Sequence, residues 1–323
     1  MAFNKRDIRT FSMLGIRRSF YFQLTKEAEK NNNIVIICAD MFKGNNLEKF
    51  QQSHPEQIYN VGIAEQNMIG IAAGMAKVGL NVFAVAFSTF ISTRCFDQVR
   101  VNLGYMNLPI KLVGRGSGLG NNVAGPTHYA VEDIALLRTI PNMTVVVPAD
   151  ALEAVKIAEA AVNSKNPMYI RLVDAANVPI VYKDDYDFQI GKAEVLQEGT
   201  DIAIFSAGTM VNASLKAAKI LAEENISVAV VNVHTIKPLD VQTIDKYSAG
   251  RKLIVSVEEH GIIGGLGSAI AEHNSEKVSS PPQLKIGIPD AYGKAGSYEY
   301  LLDKYGLTAE KICTAIKKKF LEL

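Results

Sequence analysis

Along the chain, short apolar runs alternate with longer stretches in which apolar residues return every three or four positions. The runs lie at 34–39, 57–61, 82–87, 110–114, 144–147 and 168–172, and several of them carry β-branched residues on both faces, as strands covered on two sides do. Helical or loop patterns lie between them, so residues 1–175 are expected to form an α/β domain with a doubly wound, mostly parallel sheet. Residues 7–30 show the apolar spacing and charges of an amphipathic helix, ending at Asn31-Asn32-Asn33. A proline and an acidic cluster interrupt the pattern between 174 and 189, which places a linker at 176–190. Beyond it, strands at 193–196, 202–206, 228–233, 253–257 and 284–288 interleave with helical patterns near 209–224, 240–249, 264–275 and 308–322. That second pattern predicts a smaller three-layer α/β domain over 191–323.

One stretch departs from ordinary core composition. Val61 to Lys77 starts as an apolar run, turns at Gly62, and continues as a helix of small and apolar residues. Gly70, Ala73 and Gly74 leave one helix face bare enough for a second helix to approach closely. Before the closing Lys77, only Glu65, Gln66 and Asn67, in the first turn, are polar. Glu65 can be read as a complement to the positive helix end. It can also be read as a carboxylate walled by Ile63, Met68 and Ile69, protonated by desolvation and able to share its proton with a heteroaromatic base.

Composition narrows the function classes. A net charge of +1 gives no general attraction to nucleic acid or anionic membrane. The three cysteines, Cys38, Cys95 and Cys313, are far apart and form no Cys-x-x-Cys, which fits a reducing compartment rather than a disulfide framework or zinc site. No apolar leader and no long uninterrupted apolar run is present, so a cytoplasmic protein is expected.

Other motifs bear on chemistry. Phe87 and Phe90 stand at the end of a strand, where rings can stack on a flat heterocycle or simply fill the core. Gly114 to Gly120 has the wrong register for a dinucleotide turn, with Asn121 in place of the third glycine, and is expected to be a flexible loop at the mouth of a site. His128, in Gly125-Pro126-Thr127-His128, precedes the helical pattern Glu132 to Arg138. Asp40 follows the first strand as a turn or capping residue. Arg171 places a charge inside an apolar strand, where a salt bridge is the ordinary explanation. The turns Ser206 to Thr209 and Gly261 to Gly267 suit tight packing, and no chemistry is assigned to Glu258-Glu259-His260.

Taken in order, V-G-I-A-E-Q-N-M-I-G-I-A-A-G-M-A, F-S-T-F, G-P-T-H and E-D-I-A-L-L-R resemble the motifs of the transketolase family of thiamine diphosphate enzymes, and the resemblance covers essentially the whole chain. It implies that Glu65 hydrogen-bonds the cofactor's pyrimidine nitrogen, promoting the imino tautomer that removes the thiazolium proton. It further implies that Phe87, Phe90 and Ile63 hold the pyrimidine, that Asp40 lies near the thiazolium, and that His128 touches the substrate near the reacting carbon. Arg171 and, more loosely, Arg17 match substrate-phosphate arginines. The family's Gly-Asp-Gly, which holds magnesium and the diphosphate, is missing, so a partner subunit carrying that N-terminal half is expected, in an α2β2 heterotetramer. The expected activity is two-carbon ketol transfer from a ketose, or ketose phosphate, to an aldose in pentose phosphate-type carbohydrate metabolism. Ala124 and Gly116 stand where the family carries an acid and a second histidine, which puts the standard substrates in doubt. The beta subunit of a 2-oxo acid dehydrogenase component, a split deoxyxylulose-phosphate-synthase-like enzyme and a non-catalytic scaffold subunit are the alternatives.

Overall fold

The computed structural model describes residues 3–42, 47–175 and 178–323. Residues 176 and 177 of the expected linker lie outside them. In chain order the strands are β1 (Ile34–Cys38), β2 (Ile58–Asn60), β3 (Asn81–Phe87), β4 (Lys111–Arg115), β5 (Thr144–Val146) and β6 (Met168–Leu172). They continue with β7 (Glu194–Gln197), β8 (Ile202–Ser206), β9 (Val228–Asn232), β10 (Thr235–Lys237), β11 (Leu253–Gly261) and β12 (Gln283–Ile288). Among the described residues the first sheet runs β10-β5-β6-β4-β3-β1-β2 and the second β12-β11-β8-β9-β7. Both are parallel except at the β10–β5 and β7–β9 edges.

The six apolar runs of the first half become the parallel strands because both faces of that sheet are covered. On one face the helices Ile16–Ala28 and Ala151–Asn163 bring Phe20, Leu24 and Ile157 against Ile36 and Phe83. On the other, Ala84, Leu112 and Val145 share one continuous core with Phe205, Val231 and Ile236 of the second half. The two halves are therefore joined by buried apolar surface.

Three features differ from the sequence pattern. The N-terminal helix is two helices, Lys5–Leu14 and Ile16–Ala28, broken at Gly15, whose φ of +80° ends the first where a residue with a Cβ would be strained. Strand β10 comes from the second half yet pairs antiparallel with β5, so the first sheet is completed across the expected boundary. Finally, the glycine stretch after β4 is not a flexible loop at a mouth. Residues 116–119 are buried, and Gly118 and Ala130 exchange backbone hydrogen bonds of 3.0 Å, closing residues 118–130 into a compact loop. At Gly118, with φ +59°, an added Cβ would stand 2.3 Å from a Glu259 carboxylate oxygen. Gly118→Ala is expected to lower stability by about 1–3 kcal/mol, read as a lower denaturation midpoint with unchanged slope.

Candidate active site

The C-terminal ends of β1, β3, β4 and β6 gather most of the candidate residues, the edge of an open parallel sheet where ligands collect. Phe87 is the last residue of β3, and the chain then winds as a π-turn over Phe90–Arg94 before the helix Phe96–Val99. Phe87 and Phe90 meet edge to face, with centroids 5.9 Å apart. His128 closes the group, 5.8 Å from Phe87 and 5.2 Å from Phe90. Its Nδ1 lies 3.0 Å from Thr127 Oγ1.

Glu65 opens the helix Glu65–Lys77 and is 4% exposed. Among the described residues no side chain caps that helix, so the carboxylate stands at a first turn with unsatisfied N–H groups. Its Oε2 accepts a 2.8 Å hydrogen bond from Arg94 Nη1, and the Arg94 guanidinium lies 4.1 Å above the Phe90 ring. Glu65, Phe87, Phe90 and His128 thus form one cluster, linked through Arg94. Cys95, buried beside Glu65, has its pKa pushed up to about 12, chiefly by burial and then by the Glu65 charge, so its thiol stays protonated.

The remaining candidates divide. Ile63, expected to wall Glu65, is instead 77% exposed, because the loop carrying it turns outward at Gly62. Asp40 adopts φ +52° just past β1, donates its N–H to Asn60 Oδ1 at 2.9 Å, and is exposed. The Asn60 side chain also accepts from Gly62 N–H, so one amide ties the Asp40 and Ile63 turns together. Arg17 reaches Asp174 at 3.1 Å, and the same carboxylate oxygen meets Arg115 at 2.6 Å. Arg115 lies 4.9 Å over the Phe87 ring, so a guanidinium that shares its carboxylate with Arg17 flanks the ring cluster.

Arg171 is elsewhere. It is 5% exposed, and its Nε donates to Asp133 Oδ2 at 2.7 Å. Its Nη2 donates to the carbonyls of Ala130 and Glu259. Burial by itself would lower its pKa, but the Asp133 charge and hydrogen bond outweigh this and hold it above the ordinary value. The expected phosphate contact is corrected to a buried clamp between the two halves: β6 turns this side chain inward, away from the open edge.

Sequence reasoning misses Arg94, Arg115 and Asp174. Arg94 follows Phe90 by four positions, a spacing that signals a shared helical face. Arg115 is hidden in a glycine stretch whose pattern raises only the question of nucleotide binding.

Known proteins bear on this geometry. Residues 13–176 match the family model described as transketolase, pyrimidine binding domain, and residues 191–312 match transketolase, C-terminal domain. The chain belongs to the transketolase family. A 6-deoxy-6-sulfo-D-fructose transketolase subunit of Clostridium sp. (strain MSTE9) is 37% identical over 93% of this chain and 92% of that protein. One of the subunits of the apulose-4-phosphate transketolase of Phocaeicola vulgatus is also 37% identical, over 94% of this chain and 96% of that protein. Among solved structures, a split gene transketolase, described as an inactive beta4 tetramer, superposes with a TM-score of 0.86 at 37% identity, covering 95% of this chain and 98% of that one. Each of these relatives is matched over nearly its whole length. Among the described residues no helix is long and apolar enough to cross a membrane.

Proposed function

We propose that this chain is the pyrimidine-binding subunit of a two-chain transketolase that uses thiamine diphosphate and moves a two-carbon ketol unit from a ketose to an aldose. The observation that carries the reading is Glu65, a buried carboxylate at a helix start, joined through Arg94 to the Phe90 ring that meets Phe87 and His128 at the sheet's C-terminal edge. A buried carboxylate beside ring faces fits a flat heterocycle that presents a proton-accepting nitrogen. When bound, the cofactor supplies the nucleophilic carbon that carries the two-carbon unit.

The chain's own residues divide the remaining work. Glu65 holds a proton against the pyrimidine nitrogen. Phe87 and Phe90 give the heterocycle an apolar wall and keep water from the carboxylate. Arg94 now occupies both the Glu65 oxygen and the Phe90 face, so it yields to the incoming ring. His128, in contact with both phenylalanines, donates to a substrate oxygen near the reacting carbon. Arg115, beside Phe87, and Arg17, which shares the Asp174 carboxylate with it, would meet the acidic far end of a sugar phosphate or a similar anion. Asp40 and the exposed Ile63 sit on turns facing the side from which a second chain would bring the cofactor.

Magnesium and the diphosphate belong to the partner chain in this reading, because Gly-Asp-Gly is absent from the sequence. An α2β2 assembly is supported by the bare face of the helix Glu65–Lys77, where a Cβ added at Gly70 or Gly74 would meet no described atom within 4 Å. The inactivity described for the beta4 relative supports a need for the partner. A cytoplasmic, pentose phosphate-type role accords with the composition and the family, and the domain division at 176–190 with the matched ranges. The test is reconstitution with a diphosphate-binding partner, thiamine diphosphate and magnesium. Ketol transfer from a ketose phosphate to an aldose, absent with either chain alone, is the expected result. Turnover of pyruvate in place of ketoses would overturn the reading.

A further inference from the structure

The Glu258-Glu259-His260 cluster belongs to the second half of the chain, and ketol transfer as described above leaves it without a role. Glu259 is buried at the end of β11, and its acceptors engage the loop that carries His128 together with Thr209, Tyr298 and Arg171. Its Oε1 accepts from Leu119 N–H at 2.7 Å, immediately inside the Gly118–Ala130 closure. Its Oε2 accepts from Thr209 Oγ1 at 2.6 Å and Tyr298 OH at 2.5 Å. Its carbonyl takes a 3.0 Å hydrogen bond from Arg171 Nη2, which also holds the Ala130 carbonyl at 2.8 Å.

The loop is plugged into the second half on both sides of His128. Leu119 and Tyr129 belong to the apolar core that contains Val257 and Leu301, and Tyr129 OH donates to the Lys294 carbonyl at 3.1 Å. His128, between these anchors, turns the opposite way onto Phe87 and Phe90. A buried carboxylate is costly to keep unless its oxygens are fully engaged. Burial raises the pKa of Glu259, against the hydrogen bonds from Thr209 and Tyr298.

We propose that Glu259 is a positioning residue. From the second half of the chain it fixes the Gly118–Ala130 closure and thereby aims His128 at the reacting carbon, so that the C-terminal half sets active-site geometry. The kinetic part rests on the reading of His128 given above; the structural part does not.

The experiment compares Glu259→Ala, Glu259→Gln and Tyr298→Phe in the full chain. On the chain alone, hydrogen–deuterium exchange of peptides across 118–130 is expected to rise about tenfold in Glu259→Ala, with β8 and β3 peptides unchanged. Glu259→Gln keeps an acceptor for Leu119 N–H and is expected to restore protection. Tyr298→Phe, which removes one donor and keeps the ring, is expected to loosen the loop to a lesser degree. In the reconstituted complex, Glu259→Ala is expected to lower kcat about tenfold to a hundredfold while leaving KM for thiamine diphosphate unchanged, with recovery in Glu259→Gln. Exchange at 118–130 equal to the unsubstituted chain, or raised evenly through the second half, overturns the inference. If Glu259→Ala does not fold, the same comparison made with Tyr298→Phe decides it. Localised loosening in a complex that transfers no ketol unit would count against the reading of function, whereas an unloosened loop in an active complex would count against Glu259.

Discussion

Glu65→Ala is expected to lower kcat of the reconstituted complex by about 10²–10⁴-fold, the range for loss of a positioned acid–base group. The effect should be large because the groups beside it are unsuited to the role. Cys95, buried next to it, keeps its proton to a pKa of about 12. Arg94, the present partner, is a guanidinium and does not act as an acid at neutral pH. Stability should change little. Alanine suits the helix Glu65–Lys77, and Arg94, with its side chain 41% exposed, can hydrate once its partner is gone. The check is kcat measured alongside thermal unfolding: a large kinetic loss with a nearly constant Tm is the expected pair. A fall in Tm that accounts for the lost activity would make Glu65 a structural residue.

Arg171→Leu should do the reverse. Removing the guanidinium leaves the Asp133 carboxylate buried, with Tyr169 OH still donating to it at 2.6 Å. It also frees the carbonyls of Ala130 and Glu259 at the junction of the two halves. Breaking a buried ion pair from one side costs about 3–5 kcal/mol. The expected result is a clearly lower unfolding midpoint, seen in the chain without any partner or substrate. Were Arg171 a phosphate ligand, stability would be kept and only KM for phosphorylated sugars would rise; that outcome would restore the contact the sequence suggested.

The two arginines show how far a sequence reaches. Residue type and register place Arg171 correctly on a strand, but which face of that strand is open depends on what packs over β6. Here it is Asp133 and β11, which come from distant parts of the chain. The parallel strands are legible because β-branched runs covered on both faces leave a local mark. Strand β10 is not, since three residues completing a sheet from another half leave none. The π-turn at Phe90–Arg94 is only half legible: the four-residue spacing puts Arg94 on the Phe90 face, but no residue pattern announces the wider winding or the contact with Glu65. Glu65, Phe87, Phe90 and His128 are found together because their motifs come in a family's order, while the side chains between them have to be seen in place. Glu259 belongs to the same class, since its role lies entirely in which distant N–H and O–H groups reach it.

The role proposed for Glu65 is tested most directly at the cofactor. In the reconstituted complex with thiamine diphosphate bound, the rate at which the thiazolium C2 proton exchanges with deuterated water is measured by NMR after acid quench, for the unsubstituted chain and for Glu65→Gln. Exchange slowed by about 10²–10⁴-fold in the variant, with the cofactor still bound, is the predicted result. Exchange as fast in Glu65→Gln as in the unsubstituted complex would contradict the assignment.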